Sequence, residues 1–144
     1  MQEVLEVFVH GPAARAVEFK IDLEDSLPLL ALDEPQVSQA LINVLTNAME
    51  ATLERDTQRH VSVVVRRAYQ YVMIEISDNG PGISDSVKAG LFTAFATTKE
   101  KGTGTGLNLA RQIALAHGGN LQLLADGSAG DTVFAFSFPV SNIN

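Results

Sequence analysis

Residues 99–119 read KEKGTGTGLNLARQIALAHGG, in which three alternating glycines run directly into an apolar helical pattern. A glycine-rich loop before a helix presents backbone N–H groups and the positive end of the helix dipole, which together favour a bound anion. The spacing G-x-G-x-G excludes a dinucleotide fingerprint, and Leu107 and Asn108 replace the Lys-Ser or Lys-Thr of a P-loop. The segment therefore predicts either another nucleotide-binding device or a flexible joint.

Upstream of the glycines, the sequence predicts a helix with two asparagines on one face. Asp33 is a candidate N-cap, and Pro35 lies in the first turn. The apolar stripe of this helix contains Val37, Leu41, Val44, Leu45 and Ala48. Asn43 and Asn47 are four residues apart and are offset from the stripe. Because asparagine is a mediocre helix former, these amides are interpreted either as solvated groups or as oxygen donors to hydrated Mg²⁺.

Between the helix and the glycines, the segment ISDNGPGI places Asp78 at the end of an apolar strand. Its Asn-Gly-Pro-Gly composition is typical of a tight turn. The alternative is a carboxylate that accepts a hydrogen bond from an exocyclic amine such as that of adenine, with the glycines leaving room for the base. The irregular stretch from Ser84 to Gly106 is long for a compact domain and predicts a functional lid, with short helical turns around Val87 to Phe95.

The rest of the chain predicts a sheet and a second helix. A helix is expected from Leu107 to His117, ended by Gly118 and Gly119. The predicted strands are Val17–Leu23, His60–Ala68, Tyr71–Ser77, Asn120–Asp126 and Thr132–Val140, the second and third forming a hairpin. Helices and strands mix without regular βαβ alternation. This order predicts an α+β two-layer sandwich, with a mixed sheet covered by helices on one face.

Composition limits the classes of function. The 144 residues predict a single domain, residues 1–144, in which 1–16 are the remnant of a connecting segment. A net charge of −7 argues against a nucleic-acid surface, and the absence of cysteine excludes disulfides and thiolate metal sites. No apolar run approaches the ~20 residues of a membrane helix. A cytoplasmic domain without direct membrane contact is expected.

Four segments in order resemble the boxes of the ATP-binding catalytic domain of sensor histidine kinases, in the gyrase, chaperone, histidine kinase and MutL ATPase superfamily. QALINVLTNAMEA is similar to the asparagine box, DNGPGI to the first glycine box, LFTAFATTK to the phenylalanine box and GTGTGL to the second glycine box. The resemblance extends from about Val17 to Val140. It implies a Bergerat-type ATP-binding fold that holds ATP between a helix and a mobile lid.

The resemblance implies a role for each matching residue. Asn43, Asn47 and Lys99 would be catalytic: Asn47 would bind the Mg²⁺ that bridges the phosphates, and Asn43 would lie near the phosphates or metal-bound water. Lys99 would reach the terminal phosphates, and Asp78 would read the adenine amine. Phe92 and Phe95 would anchor the lid. The other implied nucleotide contacts are Gly80, Gly82, Ile83, Thr98, Gly102, Thr103, Gly104, Gly106, Leu107 and Thr132, together with Phe95.

Asn43 also indicates the reaction class, because the resemblance places it where ATP-hydrolysing relatives such as gyrase and MutL carry a glutamate. An amide cannot act as a general base. The site is therefore expected to pass the γ-phosphoryl group to another nucleophile. The resemblance implies that this nucleophile is a histidine on a separate dimerisation domain, with a response regulator as an indirect partner. His10, His60 and His117 do not lie in a segment that resembles a phosphoacceptor helix. The isolated domain is expected to be a monomer.

Two alternatives remain open at this point. A protein serine kinase of the anti-sigma type, from the same superfamily, would phosphorylate a protein serine. A degenerate module would bind ATP or a partner without phosphotransfer. The glycine segment is interpreted as the hinge end of an ATP lid that closes over the phosphates when nucleotide binds, so Glu100 to Thr105 are expected to be poorly ordered or displaced without ATP.

Overall fold

The computed structural model describes residues 17–28, 30–56, 58–92 and 106–140. The strands are β1 (Glu18–Leu23), β2 (His60–Ala68), β3 (Tyr71–Asp78), β4 (Asn120–Asp126) and β5 (Thr132–Pro139). The helices are α1 (Glu34–Thr52), α2 (Asp85–Lys88) and α3 (Gly106–Ala116). The sheet order is β1-β2-β3-β5-β4, with β1 parallel to β2 and the other neighbouring strands antiparallel. The predicted α+β sandwich with a mixed sheet is confirmed.

Helix α1 forms as its local sequence predicts. The Asp33 carboxylate accepts a hydrogen bond from the Gln36 backbone N–H at 3.1 Å, and a proline lies in the first turn. All five residues of the predicted stripe are buried: Val37, Leu41, Val44, Leu45 and Ala48. The stripe faces the sheet, because α1 packs against β2 and β3. The polar face of α1 is thereby held at a fixed position relative to the strand ends.

The core lies between the helices and one face of the sheet. Alternate residues of the central strands are buried there: Val61, Val63, Val65, Val72, Ile74, Ile76, Phe134, Phe136 and Phe138. The last two rings stack with centroids 5.7 Å apart. Full burial of such side chains contributes about 1.5–3 kcal/mol each before entropic costs. This packing fixes the ends of β3 and β5, where Asp78 and Thr132 are located.

Helix α3 ends at the predicted glycines and is tied back to α1. Gly118 has φ +79°, and the Gly119 N–H donates to the Ala114 carbonyl at 2.9 Å, as in a Schellman motif. His117 Nε2 accepts a hydrogen bond from the Asp33 N–H at 3.1 Å, and its Nδ1–H donates to the Ile113 carbonyl at 2.8 Å. The C-terminal end of α3 is therefore bonded to the N-terminal end of α1.

The predicted lid is only partly within the described residues. Where helical turns were expected around Val87 to Phe95, the short helix α2 begins earlier, at Asp85. Residues 93–105, and with them the expected displacement of Glu100 to Thr105, lie outside the described ranges, as do residues 1–16. Within those ranges, no helix combines the length and hydropathy needed to cross a bilayer.

Candidate functional site

Two buried polar residues lie side by side at one end of the sheet. Asp78 on β3 pairs with Thr132 on β5, so both side chains project from the same face. Asp78 is 1% exposed and accepts the Gly80 N–H at 2.9 Å. Thr132 is 3% exposed, and its hydroxyl is the buried side-chain polar atom that finds no hydrogen-bond partner within the described part of the chain. Because an unsatisfied buried hydroxyl costs about 1–3 kcal/mol, this pair fits a ligand with a polar edge.

Gly80 and Gly82 follow Asp78 and are required by close packing. A Cβ on Gly80 would lie 2.7 Å from the Ala51 carbonyl oxygen of α1. Gly82 has φ +86°, and its Cβ would lie 2.7 Å from the Asp126 carbonyl oxygen. The predicted reason for these glycines, room for a base, stays a prediction. Their packing against α1 and against the β4–β5 turn was missed, because it depends on contacts distant in sequence.

The amide face of α1 meets the first residue of α3. Asn43 Nδ2 donates to the Gly106 carbonyl at 3.2 Å, and Gln39 Nε2 donates to Asn43 Oδ1 at 2.8 Å. Asn47 lies one turn further along α1 and is half-buried, and Leu107 packs against the core. The structure therefore brings the asparagine face together with the start of α3. Gln39 was missed, although it continues the four-residue series of Asn43 and Asn47.

Six of the predicted site residues lie outside the described ranges: Phe95, Thr98, Lys99, Gly102, Thr103 and Gly104. Phe92, the last described residue before them, packs edge-on against Phe134 with centroids 6.3 Å apart. The guanidinium carbon of Arg111 lies 4.9 Å from the centre of the Phe92 ring. These contacts hold Phe92 between β5 and α3.

An ion-pair cluster supports the turn after Asp78. Lys88 Nζ lies 2.7 Å from Asp126 Oδ2 and 2.8 Å from Asp85 Oδ1. The hydrogen bond from Lys88, with further bonds from Ser128, lowers the pKa of the Asp126 carboxyl well below its ordinary value. The hydrogen bonds from Lys88 to Asp126 and Asp85 raise the pKa of Lys88 above its usual value. The Asp126 carbonyl accepts the Ile83 N–H at 2.8 Å, so the cluster holds the segment that follows Gly82.

Lys88→Met is expected to lower the free energy of unfolding at neutral pH. Because folding lowers the pKa of Asp126, this contribution is present above the ordinary carboxyl pKa of about 3.9 and is lost as pH falls through the lower folded value. Thermal unfolding between pH 2 and 7 should therefore show the two proteins converging in acid. Replacing the exposed Lys20 of β1 with methionine serves as the control. A wild-type advantage over Lys88→Met that stayed constant down to pH 2 would contradict the ion pair.

Comparison with known proteins identifies the family of the chain. Residues 32–142 match the family described as Histidine kinase-, DNA gyrase B-, and HSP90-like ATPase. The chain is 34% identical over 134 residues to Sensor protein FixL of Bradyrhizobium diazoefficiens, which covers 93% of the chain and 26% of that relative. It is 38% identical over 135 residues to C4-dicarboxylate transport sensor protein DctS of Rhodobacter capsulatus, covering 92% of the chain and 20% of the relative. The chain thus spans about a quarter or less of these relatives.

The fold comparison points the same way. The nucleotide-free catalytic domain of histidine kinase ThkA superposes with a TM-score of 0.80 at 28% identity, covering 96% of this chain and 88% of that one. Sensor histidine kinase ZraS of Escherichia coli is 30% identical over 137 residues, covering 95% of this chain and 29% of that relative. This similarity favours the histidine kinase interpretation over the anti-sigma alternative. The chain therefore belongs to the family of histidine kinase-, DNA gyrase B- and HSP90-like ATPases, and it is a catalytic domain of the sensor histidine kinase type.

Proposed function

We propose that this domain binds Mg²⁺ and ATP and transfers the γ-phosphoryl group to a histidine on a separate dimerisation domain. The observation that carries the proposal is the buried Asp78–Thr132 pair, in which the Thr132 hydroxyl has no partner within the described residues. A carboxylate and a hydroxyl side by side suit an aminopurine edge, which offers a donor amine beside a ring-nitrogen acceptor. The family match supports ATP as the nucleotide.

At the adenine end, Asp78 accepts a hydrogen bond from the exocyclic amine and the Thr132 hydroxyl adds a second polar contact. Gly80, Gly82 and Ile83 flank the base. Their positions are supported by the contacts of the turn with Ala51 of α1 and with the Asp126 carbonyl, which hold this wall of the pocket. A preformed wall reduces the ordering cost of binding.

At the phosphate end, Asn47 is the residue proposed to hold Mg²⁺. Its amide oxygen suits a cation that takes few protein ligands and completes its shell with phosphates and water. When bound, Mg²⁺ neutralises phosphate charge during transfer. Gly106 and Leu107 at the start of α3 are proposed to lie near the phosphates. Phe95, Thr98, Lys99, Gly102, Thr103 and Gly104 are proposed to complete that end.

The choice of acceptor follows from Asn43 and His117. Asn43 carries no carboxylate that could activate water for hydrolysis. Positioning and charge stabilisation in the site therefore favour direct transfer of the phosphoryl group to another nucleophile. His117 is not available as that nucleophile, since both of its ring nitrogens are hydrogen-bonded. The acceptor is therefore proposed on a separate dimerisation domain, with a response regulator downstream. The domain is further proposed to be monomeric and cytoplasmic, without direct contact with a membrane.

Phosphotransfer to a histidine-bearing domain tests this function. The chain is incubated with γ-labelled ATP, Mg²⁺ and a histidine-bearing dimerisation domain from a related sensor histidine kinase such as ZraS. We expect label on that domain that is lost in acid and retained in base, as for phosphohistidine. Acid-stable label would favour a serine kinase, and rapid release of inorganic phosphate by the chain alone would favour a hydrolase.

Asn47→Ala is expected to abolish the dependence of ATP binding on Mg²⁺. The variant loses the amide oxygen proposed to hold the ion, so ATP should bind equally well with and without the metal. Calorimetric titration in Mg²⁺ and in EDTA measures the difference. The exposed neighbour Thr46→Ala is the control and should bind like wild type. If Asn47→Ala kept the full Mg²⁺ effect, the metal assignment would be wrong.

A further inference from the structure

We propose that Gln39 and Asn43 form a hydrogen-bonded latch that fixes the start of α3 on α1, and that Gln39 is a positioning residue for the proposed phosphoryl transfer. The latch itself rests only on the geometry of this chain, whereas its kinetic consequence rests on the proposed function. Gln39, Asn43 and Asn47 recur every four residues of α1 and therefore share one helical face. Gln39 is the exposed end of this series, and no contact between Gln39 and the nucleotide is proposed.

The two bonds of the latch fix the orientation of the Asn43 amide. Gln39 Nε2 donates to Asn43 Oδ1 at 2.8 Å, and Asn43 Nδ2 donates to the Gly106 carbonyl at 3.2 Å. If Gln39 lost its donor, the Asn43 amide would keep only its bond to the Gly106 carbonyl and would be less restrained, so that bond would be broken more of the time. The turned-over rotamer would oppose two acceptors, the Asn43 oxygen and the Gly106 carbonyl. The donor on Gln39 therefore reinforces the orientation in which Asn43 Nδ2 points at α3.

Helix α3 is held to α1 at both ends by this arrangement. The Asn43 amide holds its first residue, and the His117–Asp33 hydrogen bond holds its last turn. Between them the two helices pack against each other. A carboxylate at position 43 has no N–H for the Gly106 carbonyl and could not form the latch. The amide of Asn43 thus has two consequences: it provides no base for hydrolysis, and it positions the start of α3.

Three substitutions of the exposed Gln39 separate the latch from simple charge effects. Gln39→Met introduces a neutral side chain without a donor, Gln39→Glu introduces a charged acceptor, and Gln39→Lys introduces a charged donor. If the latch operates, Gln39→Met should behave like Gln39→Glu. If only charge near the phosphates matters, Gln39→Met should behave like the wild type. Because Gln39 is on the surface, all three variants should fold, which thermal unfolding verifies.

The first readout is amide hydrogen exchange of Ala110 in the nucleotide-free chain, since the Ala110 N–H donates to the Gly106 carbonyl within α3. We expect exchange about fivefold faster in Gln39→Met and Gln39→Glu, the effect of losing one ordinary hydrogen bond. Gln39→Lys should remain within about twofold of wild type. Exchange at wild-type rate in Gln39→Met would overturn the latch.

The second readout is the kinetics of phosphoryl transfer. We expect kcat to fall about fivefold in Gln39→Met while KM for ATP stays within about twofold, since the pocket for the base is unchanged. Faster exchange with unaltered kcat would overturn the positioning role of Gln39. Faster exchange with no transfer even by the wild-type chain would support the latch and contradict the proposed function, so the two failures are distinguishable.

Discussion

Asp78→Asn is expected to weaken ATP binding by roughly tenfold to hundredfold while the domain stays folded. The amide introduced by this substitution keeps an oxygen that can accept the Gly80 N–H, which lies 2.9 Å from the Asp78 carboxylate, so the turn is preserved. The amide loses the charge and places an N–H₂ group where the adenine amine would approach. A hydrogen bond to a charged group contributes about 1.5–3 kcal/mol, which corresponds to this loss of affinity.

Calorimetry with ATP and with inosine triphosphate measures this effect and its cause. Inosine carries an oxygen in place of the amine, so the wild-type chain should bind it as weakly as Asp78→Asn binds ATP. In Asp78→Asn the N–H₂ group can donate to that oxygen, so the variant should lose the preference for ATP and bind inosine triphosphate at least as tightly. Asp25→Asn, in the exposed turn after β1, is the charge-matched control. If Asp78→Asn kept the full preference for ATP, the assignment of Asp78 to the site that binds the base would be wrong.

Gly119→Ala is expected to cost more than about 3 kcal/mol of stability or to prevent folding, as severe overpacking does. A Cβ at this position would lie 1.7 Å from the Ser137 carbonyl oxygen and 2.8 Å from its carbonyl carbon. These are backbone atoms of β5, which cannot rotate away as a side chain can. The substitution would push the connection between α3 and β4 off the sheet.

Urea unfolding followed by circular dichroism measures this cost. Gly130→Ala is the matched control, since a Cβ there meets nothing within 4 Å, and its effect should stay within about 0.5 kcal/mol. A Gly119→Ala protein as stable as wild type would show that the approach of the α3–β4 connection to Ser137 is wrong.

The features that could be predicted from the sequence are those that depend on residues close together in the chain. Helix α1 was predicted from Asp33 and its apolar stripe, because caps and periodic burial act within a few residues. The strands followed from alternation, and the end of α3 followed from its paired glycines. Asp78 could be singled out because a carboxylate at a strand end before glycines is a local pattern.

The contacts that complete the site depend on distant residues. The register that sets Thr132 opposite Asp78 joins two strands separated by more than 50 positions in the chain. The ion pair of Lys88 with Asp126 spans 38 positions and carries no local signal. The sheet order, with β1 parallel to β2, is likewise a result of long-range packing. Gln39 differs, since its four-residue spacing from Asn43 was visible in the sequence.

Titration of the wild-type chain with a non-hydrolysable ATP analogue, with and without Mg²⁺, tests the central claim most directly. The account predicts one binding site per chain, with affinity that increases when Mg²⁺ is present. Circular dichroism on the same sample establishes that the chain is folded. Absence of binding heat from the folded chain in Mg²⁺, at analogue concentrations up to the millimolar range, would contradict the account.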